Sequence, residues 1–310
     1  MEDKVIQNII HLGVILVLVI ILLVTLIFTG ILGCNIVPTG CDIYYSVLKG
    51  GAPSILIAYG EGGLGDHVKL ENVLNDRDIL NAKVRSIEIE KLSYGNINDY
   101  DMIIVEEARQ ICSGKLKVFE SFVNSGGRLV WTGDAGTELC PGDSFLLENE
   151  REGGDSEKII GPWARRDFDK QLSFDKFLGI NYKGNYCELV KCDLTTETGR
   201  IEITNDKHKL TLGISPSLTY KGDFAVVDDT GNSRIVAVLD YGTEFIGESN
   251  GQQWLEQEKK YNFGQRLPFI VTSGVGERTA YYAVPIESFG KQDQQYKALI
   301  EQMYYGLLYK

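Results

Sequence analysis

An uncharged apolar run near the N-terminus constrains this chain more than any other feature. Residues Leu12 to Leu32 contain no charged side chain, and a helix of that length spans the hydrocarbon core of a bilayer. A cleavable signal peptide usually has a shorter apolar region and a more basic start. The sequence therefore predicts a short tail at residues 1–11, an uncleaved transmembrane helix at 12–33 and a linker at 34–53.

One alternative to the uncleaved anchor stays open. The segment Ile31-Leu32-Gly33-Cys34 resembles a lipoprotein processing site, with Cys34 as the lipidated residue. The length of the apolar run and the acidic start at Glu2 and Asp3 favour the anchor. The basic residues that flank the run are too few to fix its orientation from charge.

The cysteines indicate which side of the membrane the rest of the chain occupies. An even number that falls into close couples predicts disulfides and an oxidising compartment, so we expect the C-terminal domain outside the cytoplasm. Six free thiols in a cytosolic domain are the alternative, and the absence of any CxxC spacing argues against zinc. The expected couples are Cys34 with Cys41, Cys112 with Cys140, and Cys187 with Cys192.

The charge of the chain excludes one class of partner. The formal net charge is -12 and the sequence pI is about 4.9, so the protein repels a polyanion and we expect no nucleic-acid partner. The acidic residues are dispersed along the chain, which a solvated surface explains without any function.

Strand and helix patterns alternate after the linker, within a single predicted domain at 54–310. This order implies a parallel sheet with helices on both faces. The predicted strands are Ser54–Tyr59, Val84–Ile89, Tyr100–Val105 and Arg128–Thr132, and the predicted helices run from Asp66 to about Asn81 and from Ser113 to about Asn124.

The second half of the domain has a different pattern. Residues 141–170 are polar and charged, and we expect a surface insertion there. A short helix and strand follow at 174–182, and then two hairpins, the first joining Phe224–Val227 to Arg234–Leu239 and the second joining Phe269–Thr272 to Thr279–Val284. An amphipathic helix from Gln292 to about Leu308 closes the chain, with apolar positions Tyr296, Leu299, Ile300, Met303, Tyr304 and Leu307.

Four segments of this domain together resemble the class I glutamine amidotransferase-like fold. The resemblance is greatest to its non-amidotransferase branches, the trehalose-utilisation type proteins and the trimerisation domain of some β-galactosidases. It implies a flavodoxin-like, doubly wound, mostly parallel sheet with added C-terminal β-hairpins, and it does not by itself imply chemistry. The segments are Tyr100–Glu107, Phe119–Val130, Ile203–Ile214 (with Lys209 where the family has proline), and Pro268–Val271 with Arg278–Pro285.

The turn after the fourth strand, Gly133-Asp134-Ala135-Gly136, is the first candidate site. In catalytic amidotransferases this elbow carries a cysteine nucleophile, and a later strand carries His-x-Glu; here Asp134 takes the cysteine position and no His-x-Glu occurs. A carboxylate nucleophile needs a partner acid or base. Cys140 has acidic neighbours, which disfavour a reactive thiolate. We therefore interpret the turn as vestigial and predict no catalytic residue.

The loop from Tyr59 to Gly65 is the second candidate, because it formally matches the G-x-G-x-x-G pattern of dinucleotide sites. Glu61 and Asp66 would place anions where the pyrophosphate binds, and Glu88 lies too far along the chain for the ribose contact. We expect a turn without a nucleotide, and no cofactor or metal.

Carboxylates at the carboxyl ends of the strands form the third candidate, at the edge where α/β proteins bind ligands. They bind sugar hydroxyls or a divalent cation, or they form a solvated acidic rim. The ligand-binding candidates are Glu61, Asp66, His67, Glu106, Glu107 and Asp134.

These observations together predict a membrane-anchored, catalytically inactive amidotransferase-like ectodomain that acts as a binding or scaffold subunit. Its expected partners are the membrane through residues 12–33, other membrane or cell-surface proteins, and carbohydrate. The alternative is a membrane-anchored hydrolase or sugar-modifying enzyme that uses the acidic cluster.

Overall fold

The computed structural model describes residues 2–28, 51–76, 79–80, 82–190, 192, 199–214, 218–257, 259–289 and 294–309. Within them the chain divides into two units, one containing the N-terminal helix and the other running from Ala52 to Leu308. The predicted couple Cys34–Cys41, most of the predicted linker and the lipoprotein alternative at Cys34 lie outside the described residues.

The first unit contains helix α1, Glu2–Phe28. The helix begins ten residues before the apolar run because the preceding segment contains no proline or glycine to stop it. Among the described residues, α1 is the one helix long and apolar enough to cross a membrane, with a mean hydropathy of 3.2 over Gln7–Leu26. An N-terminal helix that meets this criterion is either a membrane anchor or a signal sequence.

The second unit is built on a large mixed sheet. Its strands within the described residues follow the order β10-β9-β12-β13-β14-β4-β3-β1-β2. Two smaller sheets add β11-β8 and β5-β6-β7. The strands are β1 Ser54–Tyr59, β2 Lys83–Glu88, β3 Met102–Glu106, β4 Arg128–Thr132, β5 Asp143–Phe145, β6 Ala164–Asp167, β7 Lys170–Ser173, β8 Ile180–Asn185, β9 Gly199–Ile203, β10 Leu218–Tyr220, β11 Ala225–Asp229, β12 Ser233–Glu248, β13 Lys260–Ser273 and β14 Thr279–Tyr282.

The helices of the second unit are mostly short. The fold class is α/β and flavodoxin-like, as the sequence predicts. The α-helices are α2 His67–Leu74, α3 Tyr94–Ile97, α4 Ser113–Asn124, α5 Glu148–Glu152, α6 Phe174–Leu178, α7 Tyr186–Leu189 and α8 Gln294–Tyr309, and 3₁₀ turns occupy Ile89–Lys91, Val275–Glu277 and Ile286–Phe289.

The parallel half of the sheet positions the candidate site. Strands β2, β1, β3, β4 and β14 run parallel, and the register pairs Tyr59 with Glu106, Val105 with Trp131, and Thr132 with Tyr282. The central strands are continuous apolar runs with no exposed side chain, as expected for strands covered on both faces. The carboxyl ends of β1, β3 and β4 therefore meet at one edge.

In the antiparallel half of the sheet, one of the two predicted hairpins is wrong. Strands β13 and β14 pair antiparallel as predicted, but β11 pairs with β8 and not with β12. Both edges of β12 are instead occupied, one by β9 and the other by β13 over most of its length. Local turn signals cannot reveal this pairing, because it depends on contacts between distant segments.

Helix α2 is also shorter than predicted. Asp66 caps it as expected, through a bond from the Lys69 amide, but the helix ends at Leu74 and Asn75 follows as its C-cap. Asn and Asp favour helix ends because their side chains compete for backbone groups. Val68 is exposed, and Leu70 and Leu74 are the buried positions of the helix.

The segment at 141–170, predicted to be a surface insertion, contributes to the core. It contains β5, α5 and β6, and both Trp163 and Arg165 are fully buried. At the C-terminus all six predicted apolar positions of α8 are buried.

Candidate functional site

Asp134 lies at the carboxyl end of β4, at the position that a nucleophile would occupy, and it is 1% exposed. The backbone amide of Leu64 donates to Oδ1 at 2.7 Å, and the side-chain amide of Asn185 donates to Oδ2 at 2.8 Å. Tyr182 fixes the orientation of that amide because its hydroxyl donates to Asn185 Oδ1 at 3.0 Å. Both oxygens of Asp134 are therefore engaged, by donors from outside its own turn.

The turn itself is held by packing. Trp131 and Trp163 both donate their indole N–H to the carbonyl of Ala135, at 2.8 and 2.9 Å. Gly133 and Gly136 have φ of 58° and 67°, so the left-handed positions of the turn fall on glycines and not on Asp134. The turn lacks the strained backbone that lifts a nucleophile out of an elbow.

Arg165 holds the segment that follows the turn. Its guanidinium is fully buried and donates to the carbonyls of Pro162, Ile111, Gly136 and Glu138. Burial lowers the pKa of Arg165 to about 10, although the charge of Asp143 at 3.6 Å acts in the opposite direction. A fork of donors of this kind fixes several backbone carbonyls at once, which a lysine cannot do.

The start of α2 is saturated with carboxylates from the protein itself. The amide of Leu64 donates to Asp134, that of Asp66 to Glu287 at 2.8 Å, and that of His67 to Glu107 at 3.1 Å. These amides and the helix dipole are the groups that hold phosphates in dinucleotide sites. The structure thus gives a physical reason for expecting no nucleotide at the glycine-rich loop.

That loop also packs too closely against the sheet edge to admit a ligand beneath it. A Cβ added to Gly63 would lie 3.0 Å from the carbonyl carbon of Glu107 and 3.1 Å from Asp134 Oδ1. Glu107 itself has a φ of 54°, and its amide donates to the carbonyl of Leu64 at 3.0 Å. The glycine is required by this approach and not by a phosphate.

Two further acids lie under the start of α2. Glu106 is 1% exposed, and neither of its carboxylate oxygens has a hydrogen-bond partner within the described residues. Burial, reinforced by the charges of Glu287, Glu107 and Asp66, raises the pKa of Glu106 well above its usual range. Burial likewise raises the pKa of Glu287 to about 7. Both groups therefore retain protons under conditions where exposed glutamates are ionised.

The predicted carboxylate cluster is thus divided in the structure. Asp66, His67, Glu106 and Glu107 gather around the start of α2, where His67 Nδ1 lies 2.7 Å from Glu107 and its ring stacks on Tyr59 at 3.6 Å between centroids. Asp134 bonds to the loop before them, and Glu61 is exposed. In the part of the chain that the structure describes, no group of three His, Cys, Asp or Glu side chains could hold a metal ion.

An open groove of 520 Å³ lies beside the turn, and we call it the elbow groove. Arg109 is its central cation: its guanidinium lies 2.6 Å from Glu188, 3.2 Å from Glu138 and 3.8 Å from Asp134. Burial would lower the pKa of Arg109, but its bond to Glu188 outweighs that effect and raises the pKa. The lining residues are Arg109, Thr137, Glu138, Leu139, Phe145, Glu188, Asn250, Gly251, Gln252, Gln253 and Trp254.

Two disulfides are present in the described part of the chain. Cys112 pairs with Cys140 and Cys187 with Cys192, each with a Cα–Cα distance of 5.0 Å. The first joins the start of α4 to the segment after the turn, so Cys140 is not a displaced nucleophile. The second joins Cys187, within α7, to Cys192 after that helix, and the same helix carries Glu188.

Sequence reasoning missed several residues of this site. Asn185 and Glu188 reach it from β8 and α7, which no local pattern links to the turn. Of these residues, Trp254 is the one that the sequence could have indicated, because it is a tryptophan in a hydrophilic segment. His208 is buried with its Nε2 2.8 Å from Glu277, and neither residue belongs to this site.

Comparisons with known proteins find likeness at the level of structure. No protein-family model matches the sequence, and no curated protein matches it. The structure is similar to a ThuA-like protein from Bacteroides uniformis (17% identity, TM-score 0.49, covering 83% of this chain and 92% of that one). It is also similar to a ThuA-like protein from Parabacteroides merdae (12%, 0.44, 83% and 90%).

A third similar structure is a β-galactosidase from Rahnella sp. R3, at 16% identity and a TM-score of 0.46. The match covers 83% of this chain but 30% of the β-galactosidase, so the chain spans about a third of that enzyme. Structural similarity at this level of sequence identity and TM-score does not indicate a function.

Proposed function

We propose that the protein is a membrane-anchored, catalytically inactive amidotransferase-like domain that binds a ligand or partner at the elbow groove. The observation that carries the proposal is the state of Asp134, which is buried and has both oxygens engaged. A nucleophile must be free to approach a substrate beside an acid or base. The groove next to it is open and lined by polar groups, which suits binding.

The anchor and the compartment are part of this proposal. Helix α1 has the length and composition of a transmembrane helix, and the two disulfides favour an oxidising compartment. We therefore place the C-terminal domain outside the cytoplasm. Other membrane or cell-surface proteins and carbohydrate are the proposed partners.

One observation bears on the alternative, a hydrolase that uses the acidic cluster. Glu106 and Glu287 hold their protons to a higher pH than exposed glutamates, as a general acid does. Both side chains are buried, however, and neither lines the elbow groove. An acid that cannot contact a substrate cannot protonate it, so the binding function is preferred.

A turnover assay tests the proposal. The full chain is incubated with glutamine, with activated esters and with aryl glycosides, beside the Asp134→Asn variant. We expect no turnover above background from either protein. Turnover by the natural chain that disappears in the variant would overturn the proposal, because Asp134 would then be a nucleophile or base.

A further inference from the structure

A second groove adjoins the elbow groove. It has a volume of 610 Å³ and is lined by residues of α5 and β8 and by residues 253–256, 259 and 261. The two grooves share Gln253 and Trp254 as lining residues, and both volumes fall in the range of small-ligand sites, about 300–1,000 Å³. One ligand long enough to pass Trp254 would therefore contact both.

Trp254 is fixed at the junction of the two grooves. Its indole N–H donates to the carbonyl of Lys183 at 3.2 Å, and its ring packs against Phe145 and Tyr182 at 5.8 and 5.7 Å between centroids. The side chain is only half-buried. A partly exposed aromatic ring held by packing and one hydrogen bond offers an apolar surface at low entropic cost.

The cations that line both grooves are paired within the protein. In the elbow groove Arg109 is paired with Glu138 and Glu188. In the second groove every lining cation has a carboxylate within 3.1 Å: Arg151 with Asp175, Lys158 and Lys259 with Glu256, and Lys183 with Asp228. Neither groove therefore offers an unpaired cation to an anionic ligand, and a neutral ligand fits both grooves better than an anionic one.

A buried side-chain amide in the wall of the elbow groove is only partly hydrogen-bonded. Gln252 is 7% exposed and lines the groove, and its Oε1 has no donor within the described residues, while its Nε2 lies 3.4 Å from Glu188. A buried acceptor without a donor costs free energy, so one acceptor in the groove wall is left unsatisfied. Asn250 and Gln253 add two more amides to the lining, and each amide can both donate and accept.

We propose that the two grooves form one binding cleft for a linear, neutral oligosaccharide, with Trp254 as the central stacking surface and the lining amides as hydrogen-bonding groups. Sugar rings have an apolar face for the indole and hydroxyls for the amides and for the paired carboxylates. A chain of linked rings can occupy both grooves at once. This inference rests on the proposed function and names the ligand class of its site.

Binding to sugar series of increasing length tests the cleft. The full chain, in a zwitterionic detergent without a sugar head group, is titrated with cello- and malto-oligosaccharides from disaccharide to hexasaccharide by calorimetry. We expect affinity to rise with length in at least one series. The Trp254→Ala variant should lose about tenfold or more at every length, the usual effect of removing a central aromatic anchor.

Two further variants separate the grooves. Tyr261 lines only the second groove, so Tyr261→Ala should reduce the gain with length more than it reduces disaccharide affinity. Tyr261→Phe, which keeps the ring, is the matched control and should retain most of that gain. Gln252→Leu should weaken all lengths. Far-ultraviolet circular dichroism confirms that each variant is folded.

Three outcomes overturn the inference. Affinity that does not change with length means that the grooves are not one cleft. Binding of an unstructured peptide but of no saccharide means that the ligand class is wrong. No binding of either, with all variants folded, also removes the cleft. These binding results do not depend on turnover at Asp134, so the turnover assay tests the proposed function separately.

Discussion

Asn185 Nδ2 lies 2.8 Å from Asp134 Oδ2, and this bond ties β8 to the turn after β4 across 51 residues of sequence. With the Leu64 amide on the other oxygen, the carboxylate connects three separate segments. Asp134 is thus a buried hub of the fold, at the place where an enzyme would hold its nucleophile.

Asp134→Ala should destabilise the protein by about 1–3 kcal/mol, because it leaves the Leu64 amide and the Asn185 amide without an acceptor in a buried site. Urea unfolding followed by tryptophan fluorescence measures the loss. Glu138→Gln, at an exposed side chain of the same segment, is the control and should change stability little. An unchanged midpoint for Asp134→Ala would show that the two bonds contribute nothing.

Glu106→Gln should stabilise the protein, and the gain should grow with pH. Because burial raises the pKa of Glu106 in the folded state, the unfolded chain releases this proton first, so stability falls as pH rises above the unfolded pKa. The loss reaches up to about 1.4 kcal/mol per pH unit for one group. Glu287, whose pKa in the folded protein is about 7, also lowers the stability as pH rises, from its pKa in the unfolded chain to about pH 7.

The measurement is urea unfolding of both proteins at about pH 5 and about pH 8. The difference between the variant and the natural chain should be small at the lower pH and larger at the higher one. Glu301→Gln, on the exposed side of α8, is the matched control and should show no such trend. A gain that is equal at both pH values would mean that Glu106 is ionised in the folded protein.

Removing the disulfide between Cys112 and Cys140 should cost more than removing the one between Cys187 and Cys192. The first closes a loop of sequence separation 28 and the second one of separation 5. Loop-closure entropy then gives losses of about 3.6 and about 2 kcal/mol. Double serine variants, compared by thermal unfolding without reductant, check the order; the reverse order would contradict the entropic account.

Deleting residues 1–33 should release the remaining chain from membranes. No described helix after α1 is long and apolar enough to span a bilayer, so α1 is the proposed source of membrane attachment. Carbonate extraction of cells that express the full and the shortened chain distinguishes the two. If the shortened chain stays in the pellet while folded, a second membrane-binding surface exists in residues 34–310.

Local patterns predicted the parallel half of the fold well. The limits of α4 and β4 agree to the residue, because the Gly-Gly stop and an apolar run define the helix end and the strand without help from distant segments. The buried stripe of α8 was predicted for the same reason. The partner of β11 was not, because strand pairing depends on which edges remain free after folding.

The site could be predicted only where the topology alone determines it. The convergence of Asp66, Glu106 and Glu107 follows from parallel strands that end at one edge. The contacts of Asp134 with Asn185, and of Arg109 with Glu188, depend on where β8 and α7 pack against the sheet edge. The hydrophobic periodicity of the sequence does not indicate that position. The burial of Arg165 within a polar segment was unpredictable for the same reason.

The carboxylates at the start of α2 have one more consequence. They belong to the same chain, so their effective concentration at the helix amides is constant. Short tethers give effective concentrations in the millimolar range or above. Free phosphate in solution must compete with these carboxylates for the amides. A single mutation would vacate only one amide. Binding a nucleotide phosphate at these amides would thus require Glu107, Asp134 and Glu287 to change together.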